Sequence, residues 1–146
     1  MSVGTEPAAK PPVTSIDEIR DSFAFFDDWE DRYRFIIDLG RELSPMPDAL
    51  KVDANIVHGC QSKVWIDCRT SDGRLYFTLD SDALIVRGLI AIVLAAFNGQ
   101  SPAAIVAYDI DALFKELDLL RHLSPTRGNG LAALVRRIRD IARNAA

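Results

Sequence analysis

Cysteine is scarce in this chain of 146 residues, where Cys60 and Cys68 are the only two. So few thiols in a chain of this size do not make a secreted disulfide framework. If one strand joins them, they stand ~25 Å apart, far outside disulfide reach. Both are therefore expected to stay free in a reducing cytosol. Histidine is equally scarce, with only His58 and His122. His58 and Cys60 make half of a tetrahedral shell, and completing it would need His122 or an acid brought in by folding. No metal site is predicted.

Other absences narrow the function further. Basic residues are outnumbered, 17 Lys and Arg against 21 Asp and Glu, for a net charge of −4. That lacks the basic footprint of a nucleic-acid binder. No apolar run is long enough for a bilayer: Ala83 to Phe97 is interrupted by Arg87 and Gly88 and falls short of the ~20 residues a span requires. No phosphate-cradling loop occurs, because Gly128-Asn129-Gly130 has neither the spacing nor the preceding strand. No serine-triad signature occurs either. The first residues, with Glu6 and three prolines by Pro12, resemble neither a signal peptide nor an Arg-rich transit peptide. Residues 1–14 are expected to be a disordered tail, residues 15–146 a single domain, and the location cytoplasmic.

What is present starts with hydrophobic residues, 49% of the chain, enough for a core. Ser15-Ile16-Asp17-Glu18 matches a capping box, and Ile16, Ile19, Phe23 and Phe26 give the helix behind it one apolar face. Asp27-Asp28 caps a second helix with a Trp29, Tyr33, Ile36, Ile37 stripe, stopped by Gly40 and then Pro45 and Pro47. Ser44 to Val57 reads as a loop, with Val52 to Val57 a weak strand. Lys63 to Arg69 and Leu75 to Leu79 read as strands joined by a Thr70-Ser71-Asp72-Gly73 turn, in which Asp-Gly is a strong hairpin signal. Asp80 or Ser81 should cap the next helix, and Asp80 and Asp82 are read as caps before anything else. Ala83 to Phe97 is apolar nearly all round, so it should be a central helix, stopped at Asn98-Gly99. Short helices follow from Ser101-Pro102 and over Asp111 to Leu117, then a last one after Ser124-Pro125. In that last helix Arg136, Arg137 and Arg139 serve solubility. The expected fold is α+β: N-terminal helices, a small antiparallel sheet of about three strands, and C-terminal helices packed on one sheet face.

The candidate chemistry concentrates at His58-Gly59-Cys60-Gln61-Ser62. Gly59 allows a tight turn that presents sulfur, and Val64-Trp65-Ile66 anchors it. Cys68 falls on the Val64, Ile66, Cys68 alternation and should be packed against the sheet. Cys60 lies outside that alternation, which marks it as the reactive thiol. Arg127, just inside the last helix, could stand near a thiolate and favour its charged form.

Four blocks of this chain resemble the SufE family of sulfur acceptors, which partner cysteine desulfurases in iron–sulfur cluster assembly. Gly59-Cys60-Gln61-Ser62 with Val64-Trp65 is similar to its G-C-Q-S-x-V-W signature. Asp80-Ser81-Asp82-Ala83 with Ile85-Val86 and Gly88-Leu89 resembles a second block, and His122 to Arg127 with Gly130-Leu131 a third. Trp29 to Gly40 resembles its N-terminal helix. The resemblance spans about Ser15 to Ala142 and implies a SufE/IscU-like fold. It also implies that Cys60 takes sulfur from a pyridoxal-phosphate-dependent desulfurase of SufS or CsdA type and passes it to a SufBCD-type scaffold complex. The protein would need no cofactor of its own and catalyse no independent net reaction. His58, Gly59, Gln61, Asp82 and Arg127 match positions of the supporting loop or partner interface. Such a protein would be a monomer or weak homodimer. The cysteine is expected to tuck against apolar helix surface in the free protein and to evert when docked. A cluster scaffold of IscU type is disfavoured because it needs several cluster ligands. The alternative from another class is a docking-only regulator of the desulfurase.

Overall fold

Ser15 begins the computed structural model's described residues, 15–145; the expected tail over residues 1–14 lies outside them. Its hydroxyl accepts a bond from the Glu18 N–H at 3.2 Å, and its own N–H donates to the Glu18 carboxylate at 3.1 Å. Both halves of the capping box are therefore made, and α1 runs Ile16–Phe25. The Asp28 carboxylate accepts the Asp31 N–H at 2.9 Å and starts α2, Trp29–Arg41.

Gly40 does not stop α2, as its place before two prolines suggested, because it lies inside the helix. The reason is its neighbour α3, Leu84–Phe97, which crosses α2 at Gly88. A Cβ on Gly88 would lie 2.1 Å from the Ile36 carbonyl oxygen, and one on Gly40 would lie 2.6 Å from the Gly88 nitrogen. Each glycine costs a helix about 1 kcal/mol relative to alanine. The pair permits a backbone approach that no side chain would allow, and it seats Ile36 and Leu39 on the central helix. Along α3, Leu89 to Leu94 and Phe97 are all buried, as expected for a helix apolar nearly all round.

Two strands follow the long connection: β1, Val64–Ser71, and β2, Arg74–Ser81, antiparallel with Ser71 opposite Arg74. Asp72 and Gly73 both have positive φ, +52° and +75°, which is the turn that matches strand twist in a two-residue hairpin. Val64, Ile66, Leu75, Phe77 and Leu79 face the core. The expected third strand is reduced to a single bridge, Ile56 with Trp65. Asp53–Asn55 coils into a 3-10 turn, and the Asn55 amide donates to the Leu50 carbonyl at 2.8 Å. Arg137 holds the Ile56 and Ala54 carbonyls at 3.2 and 3.4 Å, which draws that segment toward the last helix. Arg137 is thus a tie between elements, beyond the solubility role its sequence position suggested.

The expected caps at the β2–α3 joint also do something else. α3 begins after Ala83 with no side-chain cap, while the Ser81 hydroxyl accepts the Ala83 N–H at 3.2 Å. Asp80 is 1% exposed and pairs with Arg87. It also accepts the Met46 N–H at 3.0 Å and lies 3.6 Å from the Lys51 ammonium. Arg87 in turn donates to the carbonyls of Gly40 at 3.2 Å and Leu43 at 2.7 Å. One buried ion pair therefore joins the end of α2, the connection, β2 and α3.

The chain continues through α4, Pro102–Ala107, and α5, Ile110–Glu116, to the long α6, Pro125–Ala145. The Ser124 hydroxyl caps α6 by accepting the Arg127 N–H at 3.2 Å. Gly128 and Gly130 lie inside α6, with Leu131, Leu134, Val135 and Ile138 on its buried face. Among the described residues this is an α+β fold of six α-helices and one hairpin sheet, and no helix is long and apolar enough to cross a membrane.

Candidate functional site

The segment between Val57 and Lys63 is fixed at both ends and almost unbonded between them. At its start, the Val57 N–H donates to the Val64 carbonyl at 2.8 Å, and Arg137 grips the Ile56 carbonyl. At its end, Lys63 is clamped from both sides. Its N–H donates to the Asp82 carboxylate at 3.1 Å, and its carbonyl accepts from the Ser81 hydroxyl at 2.7 Å. Among the described residues the one hydrogen bond made from within the loop is that of Cys60, whose Sγ donates to the Gly130 carbonyl at 3.4 Å.

Two glycines shape this contact. Gly59 has φ +97°, a left-handed conformation that disfavours any side chain, and a Cβ there would come within 3.1 Å of the Ala133 Cβ. The turn therefore lies directly on α6. Gly130 leaves the place for the cysteine, since a Cβ on it would sit 3.4 Å from Sγ and 3.6 Å from the Cys60 Cα.

Cys60 is half-buried at the edge of a cavity of about 60 Å³. That is room for a few water-sized atoms. Val64, Val86, Leu89, Leu131 and Leu134 give it apolar walls from β1, α3 and α6, and Ser124, Thr126 and Arg127 bring polar groups from the start of α6. Burial pushes the Cys60 thiol above its ordinary value of 9.0. This is opposite in direction to the lowering that a nearby cation would give, although Arg127 does line the cavity. At neutral pH the tucked sulfur is a neutral thiol donating to a carbonyl.

The structure gathers some of the expected residues and separates others. Gln61 and Arg127 join Cys60 at the cavity, and Asp82 secures the loop's end. His58 is exposed on the turn. His122 stacks on Trp29 with ring centroids 3.9 Å apart, and no group of His, Cys, Asp or Glu suited to a metal occurs among the described residues. Cys68 is half-buried on the core side of β1, its thiol likewise pushed up by burial, and it lines no cavity with Cys60. Sequence reasoning missed Gly130, Ala133 and Arg137. A glycine costs a helix interior enough to signal a close approach, and Gly130 beside Leu131 and Leu134 carried that signal. Arg137 and Ala133 carried none.

The family model SufE, described as an Fe-S metabolism associated domain, matches residues 17–142. A SufE-like protein of Rhizobium meliloti (strain 1021) is 46% identical over 134 residues, covering 89% of this chain and 96% of its own. Another, from Rhizobium etli, is 44% identical over 135 residues, covering 90% and 91%. The solution structure of a hypothetical protein from Thermus thermophilus has the same fold, with TM-score 0.72 at 19% identity over 89% of this chain and 94% of that one. With its cysteine loop laid on α6 and a family model matched along nearly its whole length, the chain belongs to the SufE family, the Fe-S metabolism associated domain.

Proposed function

We propose that this protein accepts sulfur on Cys60 from the persulfide of a cysteine desulfurase and delivers it for iron–sulfur cluster assembly. The observation that carries the reading is a thiol placed over an apolar cavity on a loop fixed only at its two ends. In the acceptance step the Cys60 thiolate attacks the outer sulfur of the donor persulfide. A new S–S bond forms on Cys60, the donor's S–S bond breaks, and the donor cysteine leaves as a thiolate. One sulfur atom moves, and no external oxidant or reductant is consumed.

The thiolate is the nucleophile, yet burial keeps the tucked sulfur protonated. Leaving the cavity restores ordinary acidity, so exposure to a partner and activation of the nucleophile coincide. Returning to the cavity shields the loaded sulfur from reductants and oxidants. The clamps at Val57 and Lys63 set how far the loop travels, because among the described residues the one hydrogen bond made between them is the S–H···O contact of Cys60.

Intact mass after incubation with a pyridoxal-phosphate-dependent desulfurase and cysteine tests the reading. The wild-type protein should gain the mass of sulfur, reversibly with reductant, and Cys68→Ser should behave the same. Cys60→Ser should gain none while still binding the desulfurase. If Cys60→Ser stimulates the desulfurase as the parent does, the protein is a docking regulator and sulfur relay is wrong. Recovery of the added sulfur on Cys68 would equally overturn the assignment.

A further inference from the structure

The block that opens α2 and the block that opens α6 meet away from the cysteine loop, at His122. The chain leaves α5 at Leu117 and turns at Asp118, whose φ of +55° is a left-handed conformation that aspartate tolerates better than most residues. A single 3-10 turn, Leu120–His122, then leads to the Ser124 cap of α6. His122 is held there from three sides. Its ring stacks on Trp29, with centroids 3.9 Å apart and planes within 20° of parallel. Its carbonyl accepts the hydroxyl of Tyr33, one turn further along α2. Its Nε2 is buried, 3.5 Å from the Asp118 carboxylate. The Trp29 ring is itself braced, edge-on by Phe23 at 5.8 Å and by the Arg32 guanidinium 5.4 Å over it.

The wall of the Cys60 cavity begins just beyond this joint. Ser124, Thr126 and Arg127 line the cavity, and Gly130 supplies the carbonyl that accepts from Sγ at 3.4 Å. The far half of α6 is tied separately, by Arg137 to the Ile56 and Ala54 carbonyls and by Arg139 to the Tyr108 carbonyl at 3.0 Å. We propose that His122 is a positioning residue for the sulfur-accepting thiol. By fixing the start of α6 to α2, it holds the polar wall and the Gly130 carbonyl where the tucked Cys60 meets them. A thiol is a weak hydrogen-bond donor, so a small displacement of α6 is enough to lose the contact and free the loop. This role rests on Cys60 being the sulfur acceptor, and it extends the site to residues outside the cavity.

Alkylation of the free protein by iodoacetamide at neutral pH, read at both cysteines by peptide mass, tests this without a desulfurase. His122→Ala should raise the Cys60 rate by about three- to tenfold, the factor an aromatic pair is worth, and leave Cys68 unchanged. Trp29→Ala should do the same. The W29A/H122A double variant should be no faster than either single one, since both remove one contact. His122→Phe keeps a ring on Trp29 and should return the Cys60 rate toward that of the parent. After loading by a desulfurase and cysteine, the H122A protein should also lose its added sulfur to reductant faster, by a similar factor, and the H122F protein should not. Equal acceleration at Cys60 and Cys68 would mean a general loosening of the fold and would overturn the positioning role. So would an unchanged Cys60 rate or unchanged sulfur loss in H122A, additive effects in the double variant, or no rescue by phenylalanine. If the parent accepts no sulfur on Cys60, the acceptor reading falls, while the alkylation rates still decide whether His122 holds the thiol in place.

Discussion

Cys60 and Cys68 carry the same functional group, and their immediate neighbours give them different surroundings. Cys68 belongs to the strand alternation and faces the core opposite Phe77. Cys60 meets a glycine of α6 across the cavity, and its single polar contact is to that glycine's carbonyl at 3.4 Å. The missing side chain at Gly130 is therefore what lets the sulfur sit down. A valine there would extend methyl groups beyond a Cβ position already 3.4 Å from Sγ, displacing the cysteine into solvent. Gly130→Val should make Cys60 react with iodoacetamide faster at neutral pH, because leaving the cavity removes the burial that holds the thiol neutral. Cys68, measured in the same sample by peptide mass, should be unchanged. Equal rates for Cys60 in the parent and the variant would show that Gly130 does not govern the tucked position.

At the scale of elements, the Asp80–Arg87 pair decides how the loop's supports meet. The carboxylate is buried at the end of β2, and the guanidinium bonds to Gly40 and Leu43 at the end of α2. Removing one partner leaves the other charge buried and unpaired. Asp80→Ala should therefore cost about 3–5 kcal/mol in denaturant unfolding, whereas an exposed pair such as Arg34 with Glu30 should cost no more than about 1 kcal/mol. A loss below about 1 kcal/mol at Asp80 would mean that water enters the joint. In sequence Asp80 is one more acidic residue before a helix, and local pattern alone makes it a cap. Its identity as a core anchor depends on Arg87 one helix turn into α3 and on Met46 across the connection. Neither relation has a local signature.

For the whole molecule, the two thiols give stability a pH dependence of definite sign. Both are raised above the ordinary value of 9.0, so the folded state favours the neutral form. Their contribution is complete below that value and is lost as pH rises through the folded values. Thermal unfolding should therefore show a midpoint that declines above pH 9, and the decline should be shallower in the Cys60→Ser, Cys68→Ser double variant. An identical slope in the two proteins would place the alkaline loss elsewhere.

Periodicity and turn chemistry determined a good deal of this protein without tertiary information. The Ser15 capping box, the Asp72-Gly73 hairpin, the buried character of Leu84–Phe97 and the start of α6 after Ser124 all rest on contacts within a few residues, so local letters suffice. The contrast between Cys60 and Cys68 was legible for the same reason, since a strand's alternation is local. Tertiary structure alone decided that α2 and α3 touch at Gly40 and Gly88, and that Ile56 is held by Arg137 instead of extending a third strand. It also decided that the sulfur rests on Gly130, 70 residues along the chain. Those outcomes depend on which helix faces meet and how closely, and that is set by the shared packing of the core, which no single segment encodes.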